Sequence, residues 1–338
     1  MITSTPPVLA RTRDVAGPAM RAAVATLLPE LHGPVHYHFG WADVDGTPVP
    51  GGGGKGVRPA LAILSAEAAG APAGAGVPGA VALELVHNFS LLHDDVIDND
   101  RERRHRPTVW ALFGVGDAII AGDALLTLAL EVLFDADAPG GARAAGALTR
   151  ATSEMIAGQV LDMTFETRDA VSLDECITME SGKTGALLAC AASIGALMAG
   201  GSDALVDALA AYGRHLGLAF QAVDDLLGIW GSPAVTGKPA WSDLRQHKKA
   251  LPLVFAWERA TASERRELHH LLADGTPTEA AMAEAAALIE ARGGRDCTQS
   301  FADRELDAAF RALGATDLDC GVRTELVELA HFVVERQS

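Results

Sequence analysis

Four long stretches decide what this chain can fold into. From Val81 to Asp98, Ala118 to Phe134, Ala151 to Phe165 and Leu205 to Trp230 it runs rich in alanine and leucine with no internal proline. The apolar–polar alternation that marks strands is absent, so the pattern predicts an all-α protein: one bundle of about ten or more helices. Breaks are expected at Gly and Pro clusters: His32 to Pro34, Gly46 to Gly54, Gly70 to Pro78, Ala138 to Gly141, Gly231 to Pro239 and Gly275 to Pro277. Residues 1–15 read as a loose N-terminal extension and 16–338 as a single domain. The stretch from Gly185 to Gly200 is apolar but short of the roughly 20 residues a membrane span needs, and its small side chains suit a helix buried among others.

Charge narrows the function. Of the 338 residues, 44 are acidic and 27 basic, a formal net charge of -17. Nucleic acid is therefore not the expected partner, because affinity for a polyanion comes from Lys and Arg neutralising phosphates. The N-terminus has no basic patch followed by an apolar run, so no leader peptide is expected. Cys176, Cys190, Cys297 and Cys320 are far apart and form no metal-type spacing, which fits a reduced, cytoplasmic compartment.

The chemistry concentrates in two acidic segments. In LLHDDVID, Asp94 and Asp98 fall on one helical face, with Asp95 beside them. Like charges four apart destabilise a helix by a few tenths of a kcal/mol, on the order of 0.2–0.5, unless something compensates. A hard cation such as Mg2+ would do so, and so would plain solvation of an acidic helix end. Arg101, Arg103, Arg104 and Arg106 follow at once, and carboxylates for a metal beside guanidinium groups for phosphate suit a metal-bound diphosphate.

The second segment, FQAVDDLLG, puts Gln221, Asp224 and Asp225 on one face among apolar neighbours. Lys238, Asp243, Lys248 and Lys249 follow across a Gly/Pro loop, an arrangement suited to a lid over phosphate. Upstream, GGGGKGVRP offers flexible backbone with Lys55 and Arg58 three apart. It is not a nucleotide P-loop, because Val49 and Gly56 stand where that motif needs Gly and Ser or Thr.

Taken in order, GKGVRP, LLHDDVID followed by RRHRPT, AGDALL, GQVLDM, Lys183-Thr184, and FQAVDD with GKP and KK resemble the trans-polyprenyl diphosphate synthase family over roughly positions 50 to 255. The resemblance implies an isoprenoid-synthase bundle around a central apolar cavity, a homodimer, and a Mg2+-dependent catalytic domain with three ions per site when the allylic diphosphate is bound. It assigns Lys55, Arg58, His87 and Arg104 to the diphosphate of isopentenyl diphosphate. Asp94, Asp98 and Asp224 would hold Mg2+, with Asp95 supporting the first cluster from behind. Arg103, Lys183, Thr184, Gln221, Lys238 and Lys248 would contact the allylic substrate. No side-chain nucleophile is required: the allylic C–O bond ionises, the isopentenyl double bond attacks the cation, and a proton leaves.

Product length is set, by the same resemblance, on the helix before Asp94. Phe89, five residues earlier, lies about 7.5 Å down the axis, in the path of a growing chain. Ser90 is small, and Val86 is a further turn below. An aromatic at the fifth position with none at the fourth resembles the geranylgeranyl type, with farnesyl diphosphate as the alternative product. Three positions depart from the family pattern: Gly228 replaces a third aspartate, Trp241 stands where Gly is common after GKP, and His105 replaces the Gly after the Arg pair. A class I terpene cyclase and a non-catalytic subunit of a heteromeric synthase remain as other classes. The first lacks its NDxxSxxxE pattern here, and the second would be expected to have lost the first aspartate motif.

Overall fold

A computed structural model describes residues 5–49, 54–233, 240–272 and 278–335. The helical expectation holds across the described residues apart from one short hairpin. The chain runs α1 (Pro7–Val24), α2 (Pro29–His38), α3 (Val57–Ala68), α4 (Val77–Ile97), α5 (Val109–Phe113), α6 (Val115–Phe134), α7 (Gly141–Glu166), α8 (Leu173–Glu180), one π-helical turn (Ser181–Gly185), and α9 (Ala186–Met198). Then come α10 (Asp203–Trp230), α11 (Ser242–Arg245), α12 (Leu251–Arg259), α13 (Ala262–Leu271), α14 (Glu279–Ala291), α15 (Gly294–Gly314) and α16 (Cys320–Val334).

α9 is the centre. Every residue from Ala186 to Met198 is buried, and α3, α7 and α10 pack around it. Its small side chains permit this: a β-carbon at Gly195 would collide with the backbone carbonyl of Ala62 on α3. The stretches Ala73–Ile97 and Leu173–Met198 are long and apolar enough to cross a bilayer, and both are largely buried inside the protein.

Three expectations need correction. The predicted loose extension is helical from Pro7, with Val8 and Leu9 buried and Arg11 bridging Glu67 on α3 and Glu325 on α16 at 2.8 and 2.6 Å. Burial of its apolar face outweighs the fraying usual at a terminus. The predicted break at His32 to Pro34 lies within α2, where buried Val35 and Tyr37 carry the helix past the proline. A minimal hairpin also forms, Glu102–Arg103 paired antiparallel with Arg106–Pro107, too short for any alternating pattern to announce it. The predicted break at Gly275 to Pro277, and most of the one ending at Pro239, lie outside the described residues.

Candidate active site

α4 ends in its carboxylates. That end of a helix carries negative potential, so acids there need compensation. Burial follows their phase: Asp95 is 2% exposed, Asp94 is half-buried, and Asp98, the capping residue, is exposed. Arg103 Nε donates to Asp95 Oδ1 at 2.6 Å, and burial still pushes the Asp95 carboxyl up to about 6 against that attraction. Burial and the neighbouring Asp98 raise Asp94, while Lys183, Arg103 and Lys248 pull it back.

The hairpin after α4 presents the arginines. Arg104 and His105 form its two-residue turn with φ of 53° and 61°, the positive values that a type I′ connection requires and that Gly or Asn usually supply. The hairpin is pinned behind: Tyr37 Oη donates to the Pro107 carbonyl at 2.9 Å, and Arg106 stacks 4.1 Å from the Tyr37 ring centre.

Part of the expected site lines a cavity of about 820 Å³. Lys55, Arg58, His87, Arg103, Arg104 and Asp224 all line it, with Leu91, Leu188 and Phe220 as apolar wall. Burial, together with Arg58 and Arg104, holds the His87 imidazole well below its usual pKa, so it is neutral. The neighbouring His38 is pushed down to about 3 by burial, with Arg103 and Arg104 adding to it. Glu84, on the turn below His87, is raised by burial and countered by Arg58 and Asn88. A carboxylate beside the cavity-lining Arg58 was invisible as a motif; its only signal is an acid inside an otherwise apolar helix.

Two further expected contacts, Lys183 and Thr184, sit on the π-helical turn and do not line that cavity. The turn's extra residue re-aims both, and such bulges are frequent at functional sites. Lys183 Nζ meets Asp162 of α7 at 2.5 Å. Thr184 Oγ1 donates to Gln221 Oε1 at 2.7 Å, which ties the turn to α10. α7 comes close enough at Gly158 that any side chain there would strike the backbone of Lys183. Burial lowers Lys248, but Asp243, Asp162, Asp98 and Asp225 together hold it above its ordinary value. Lys238 lies outside the described residues.

Two departures acquire a physical account here. The carboxylate of Asp243, on α11, occupies the space that a side chain at Gly228 would need. A carboxylate therefore stands beside the second motif although the motif's last aspartate is missing. Trp241 adopts φ 55°, the left-handed region that favours glycine, and packs against the cluster of Ile229, Leu244 and Leu253, whose contacts offset that cost of about 1–2 kcal/mol. Phe89 is buried one turn before His93, their rings edge-to-face with centroids 4.9 Å apart. Val86 is fully buried, and Ser90 Oγ donates to the His87 carbonyl at 2.9 Å.

Asp94, Asp98 and Asp224 are not gathered into a preformed metal cluster: among the described residues no three His, Cys, Asp or Glu side chains converge closely enough to hold an ion. The donor set is still one that suits Mg2+, all carboxylate oxygens, with Asp94 and Asp98 repelling each other until a cation intervenes.

Known proteins are similar in sequence and fold. The family model described as polyprenyl synthetase matches residues 49–289. A (2E,6E)-farnesyl diphosphate synthase of Mycobacterium tuberculosis is 47% identical over 342 residues, which cover 100% of this chain and 95% of that protein. A geranylgeranyl diphosphate synthase of the same organism is 39% identical over 332 residues, 97% of this chain and 93% of that one. The crystal structure of polyprenyl synthetase from Streptomyces coelicolor superposes with a TM-score of 0.92 at 51% identity, covering 98% of this chain and 100% of that one. Fold and site thus define an all-α prenyltransferase. The chain belongs to the polyprenyl synthetase family.

Proposed function

We propose that the protein condenses isopentenyl diphosphate head-to-tail with an allylic diphosphate, dependent on Mg2+, and that its product is geranylgeranyl diphosphate. The observation that carries the reading is the one cavity whose lining includes Lys55, Arg58, His87 and Arg104 together with Asp224. Farnesyl diphosphate is the second reading, favoured by the 47% identity to the mycobacterial farnesyl diphosphate synthase.

Lys55, Arg58 and Arg104 hold the isopentenyl diphosphate by charge, and neutral His87 does so by a hydrogen bond. Lys183, Thr184, Gln221 and Lys248, with Arg103 and Lys238, orient the allylic diphosphate so that its leaving group points between the two aspartate motifs. Mg2+ on Asp94, Asp98 and Asp224 would supply Lewis-acid stabilisation of the negative charge that grows on the departing diphosphate. The Lys and Arg groups share that load. Leu91, Leu188 and Phe220 keep water from the allylic cation. The isopentenyl double bond then forms the new C–C bond, and the proton leaves to the released diphosphate.

The growing chain runs down α4 onto Phe89. Exposed apolar side chains at Ile156, Val160 and Met163 on α7, with Val115, Ile119 and Ile120 on α6, form a face suited to a second copy of the chain. Sedimentation equilibrium would find a dimer.

Purified protein with Mg2+, isopentenyl diphosphate and dimethylallyl, geranyl or farnesyl diphosphate tests the reading. Elongated diphosphates, ending at geranylgeranyl and lost on adding EDTA, are expected. Hydrocarbon from an allylic substrate alone, or turnover persisting in excess EDTA, would overturn it. Phe89→Ala should lengthen the product by at least one isoprene unit, and an unchanged product mass would remove Phe89 as the floor.

A further inference from the structure

The hairpin that carries Arg103 and Arg104 borders two cavities. Besides the one of about 820 Å³, both arginines line a second of about 380 Å³, together with Tyr37, Asp43, Arg106 and Pro107. Packing alone therefore leaves the tip room to move. Its own pairing is slight, two residues on each strand, where even a longer hairpin is marginal in water by itself. Contacts from outside compensate. At the base, the Thr108 N–H donates to the Arg101 carbonyl at 2.9 Å, and Thr108 Oγ1 and Trp110 Nε1 donate to the Asp100 carbonyl at 2.9 and 2.8 Å. On the first strand, Arg103 is tied to Asp95 at 2.6 Å. On the second strand the contacts come from Tyr37 of α2, which is 5% exposed and braced edge-on by Phe113. Its hydroxyl donates to the Pro107 carbonyl at 2.9 Å, its ring lies 4.1 Å from the Arg106 guanidinium, and its backbone carbonyl accepts Arg106 Nη1 at 3.4 Å. Arg106 Nη2 reaches the Ala42 carbonyl at 3.3 Å.

We propose that Tyr37 is a positioning residue for isopentenyl diphosphate, acting through the second hairpin strand on Arg104. The two arginines of the tip differ in what holds them. Arg103 has Asp95, whereas among the described residues the Arg104 guanidinium makes no ion pair or hydrogen bond of its own. Where Arg104 points is therefore set by the backbone that carries it. That backbone turns through φ values of 53° and 61° at Arg104 and His105, a conformation that side-chain-bearing residues leave unless the strands behind them are held. Pro107 has no N–H, so its carbonyl is the one main-chain group by which that strand position can be hydrogen-bonded, and Tyr37 Oη takes it. A guanidinium recognises phosphate oxygens through directional N–H bonds, so its placement matters as much as its charge.

Tyr37→Phe removes only the hydroxyl and keeps the ring against Arg106 and Phe113. It should raise the KM for isopentenyl diphosphate about five- to tenfold, the effect of one buried hydrogen bond. The KM for the allylic diphosphate and kcat should stay within about twofold of the wild type, because Asp95 holds Arg103 independently. Arg106→Lys keeps the charge but gives up the planar fork and its two carbonyl bonds, and should move the isopentenyl KM in the same direction. In an Arg104→Ala background, Tyr37→Phe should change that KM by less than about twofold, since residues acting through one another are not additive. A merely structural defect would lower kcat through a smaller active fraction and repeat its effect in both backgrounds.

The inference rests on the isopentenyl site proposed above, and calorimetric binding of isopentenyl diphosphate to the full chain, without allylic substrate, separates the two. Affinity weakened by the same factor in Tyr37→Phe supports the positioning role even if the wild type never elongates an allylic substrate, an outcome that would overturn the prenyl-transfer reading alone. An active wild type with isopentenyl KM and affinity unchanged in Tyr37→Phe, an equal rise in both KM values, or the same shift with Arg104→Ala as without it, would overturn the positioning role alone. A wild type that binds no isopentenyl diphosphate would overturn both.

Discussion

The two aspartate motifs meet the same chemical demand by different construction. The first sits at the end of α4, and its buried acid finds its partner within a dozen residues: Asp94 and Asp98 face outward, Asp95 turns in, and the hairpin brings Arg103 back to pair with it, distant Lys183 and Lys248 adding only their charge at Asp94. The second lies inside α10, where a helix interior offers no loop to fold back. Its partners arrive from elsewhere: Thr184 from the π-helical turn, the Leu251 amide from α12, and the Asp243 carboxylate in the space left by Gly228. A motif at a helix end can be self-contained, and one in mid-helix must be assembled in three dimensions.

The contrast can be broken most severely at its exposed end. Asp94→Asn should lower kcat by about 10²- to 10³-fold, the scale of losing a group that stabilises transition-state charge, and steady-state kinetics at saturating Mg2+ would show it. A loss under tenfold would mean that the first motif is not where the charge develops.

The assembled character of the second motif is tested by restoring the missing acid. Gly228→Asp should cost activity, about tenfold, because the new carboxylate competes with Asp243 for one space. Adding Asp243→Ala to that variant should recover part of the loss. If Gly228→Asp behaves as the wild type, Asp243 is not filling the gap.

A smaller effect is expected where the first motif meets the cavity. His38 and His87 are held neutral by burial and adjacent arginines, so their folded pKa values lie below the ordinary 6.5 and they do not gain a proton as pH falls toward neutrality and below. Their imidazole NMR signals should stay flat across about pH 5 to 8, where a free histidine titrates. His87→Gln should keep isopentenyl KM within about threefold, since only a neutral hydrogen bond is replaced. An inflection near 6.5 in either histidine would refute this.

The smallest change concerns the hairpin tip. His105→Gly relieves a positive φ at some cost in unfolded-chain entropy, and the net gain should be about 0.5–1 kcal/mol by chemical denaturation.

These constructions also account for what the sequence could disclose. At the first motif the pairing of Asp95 with Arg103 is local, because an acid and an arginine close in the chain stay close in space. The helices were legible from composition, and burial of the Gly185 to Gly200 stretch followed from its small residues. The early start of α1 was missed because its buried face is only a few side chains, scattered as Val8, Leu9 and Met20. At the second motif, Gly228 and Trp241 read as defects. Each is explained by a partner that pattern cannot supply, a carboxylate from another helix or a backbone conformation stabilised by packing. Glu84 carried no motif at all, since a buried acid declares itself only through its neighbours.

The π-helical turn has a further consequence for how this protein tolerates change. A substitution at Ser181 or Gly182 alters one side chain, but deleting any one residue from 181 to 185 would remove the extra residue and return the segment to α-helical phase. Each residue turns a helix by about 100°, so everything before the deletion would be rotated by that angle relative to α9. Glu180 and Cys176 would swing away from α10, while α9, locked by its small-residue contacts, could not follow. Length, more than residue identity, is the invariant that this segment must keep.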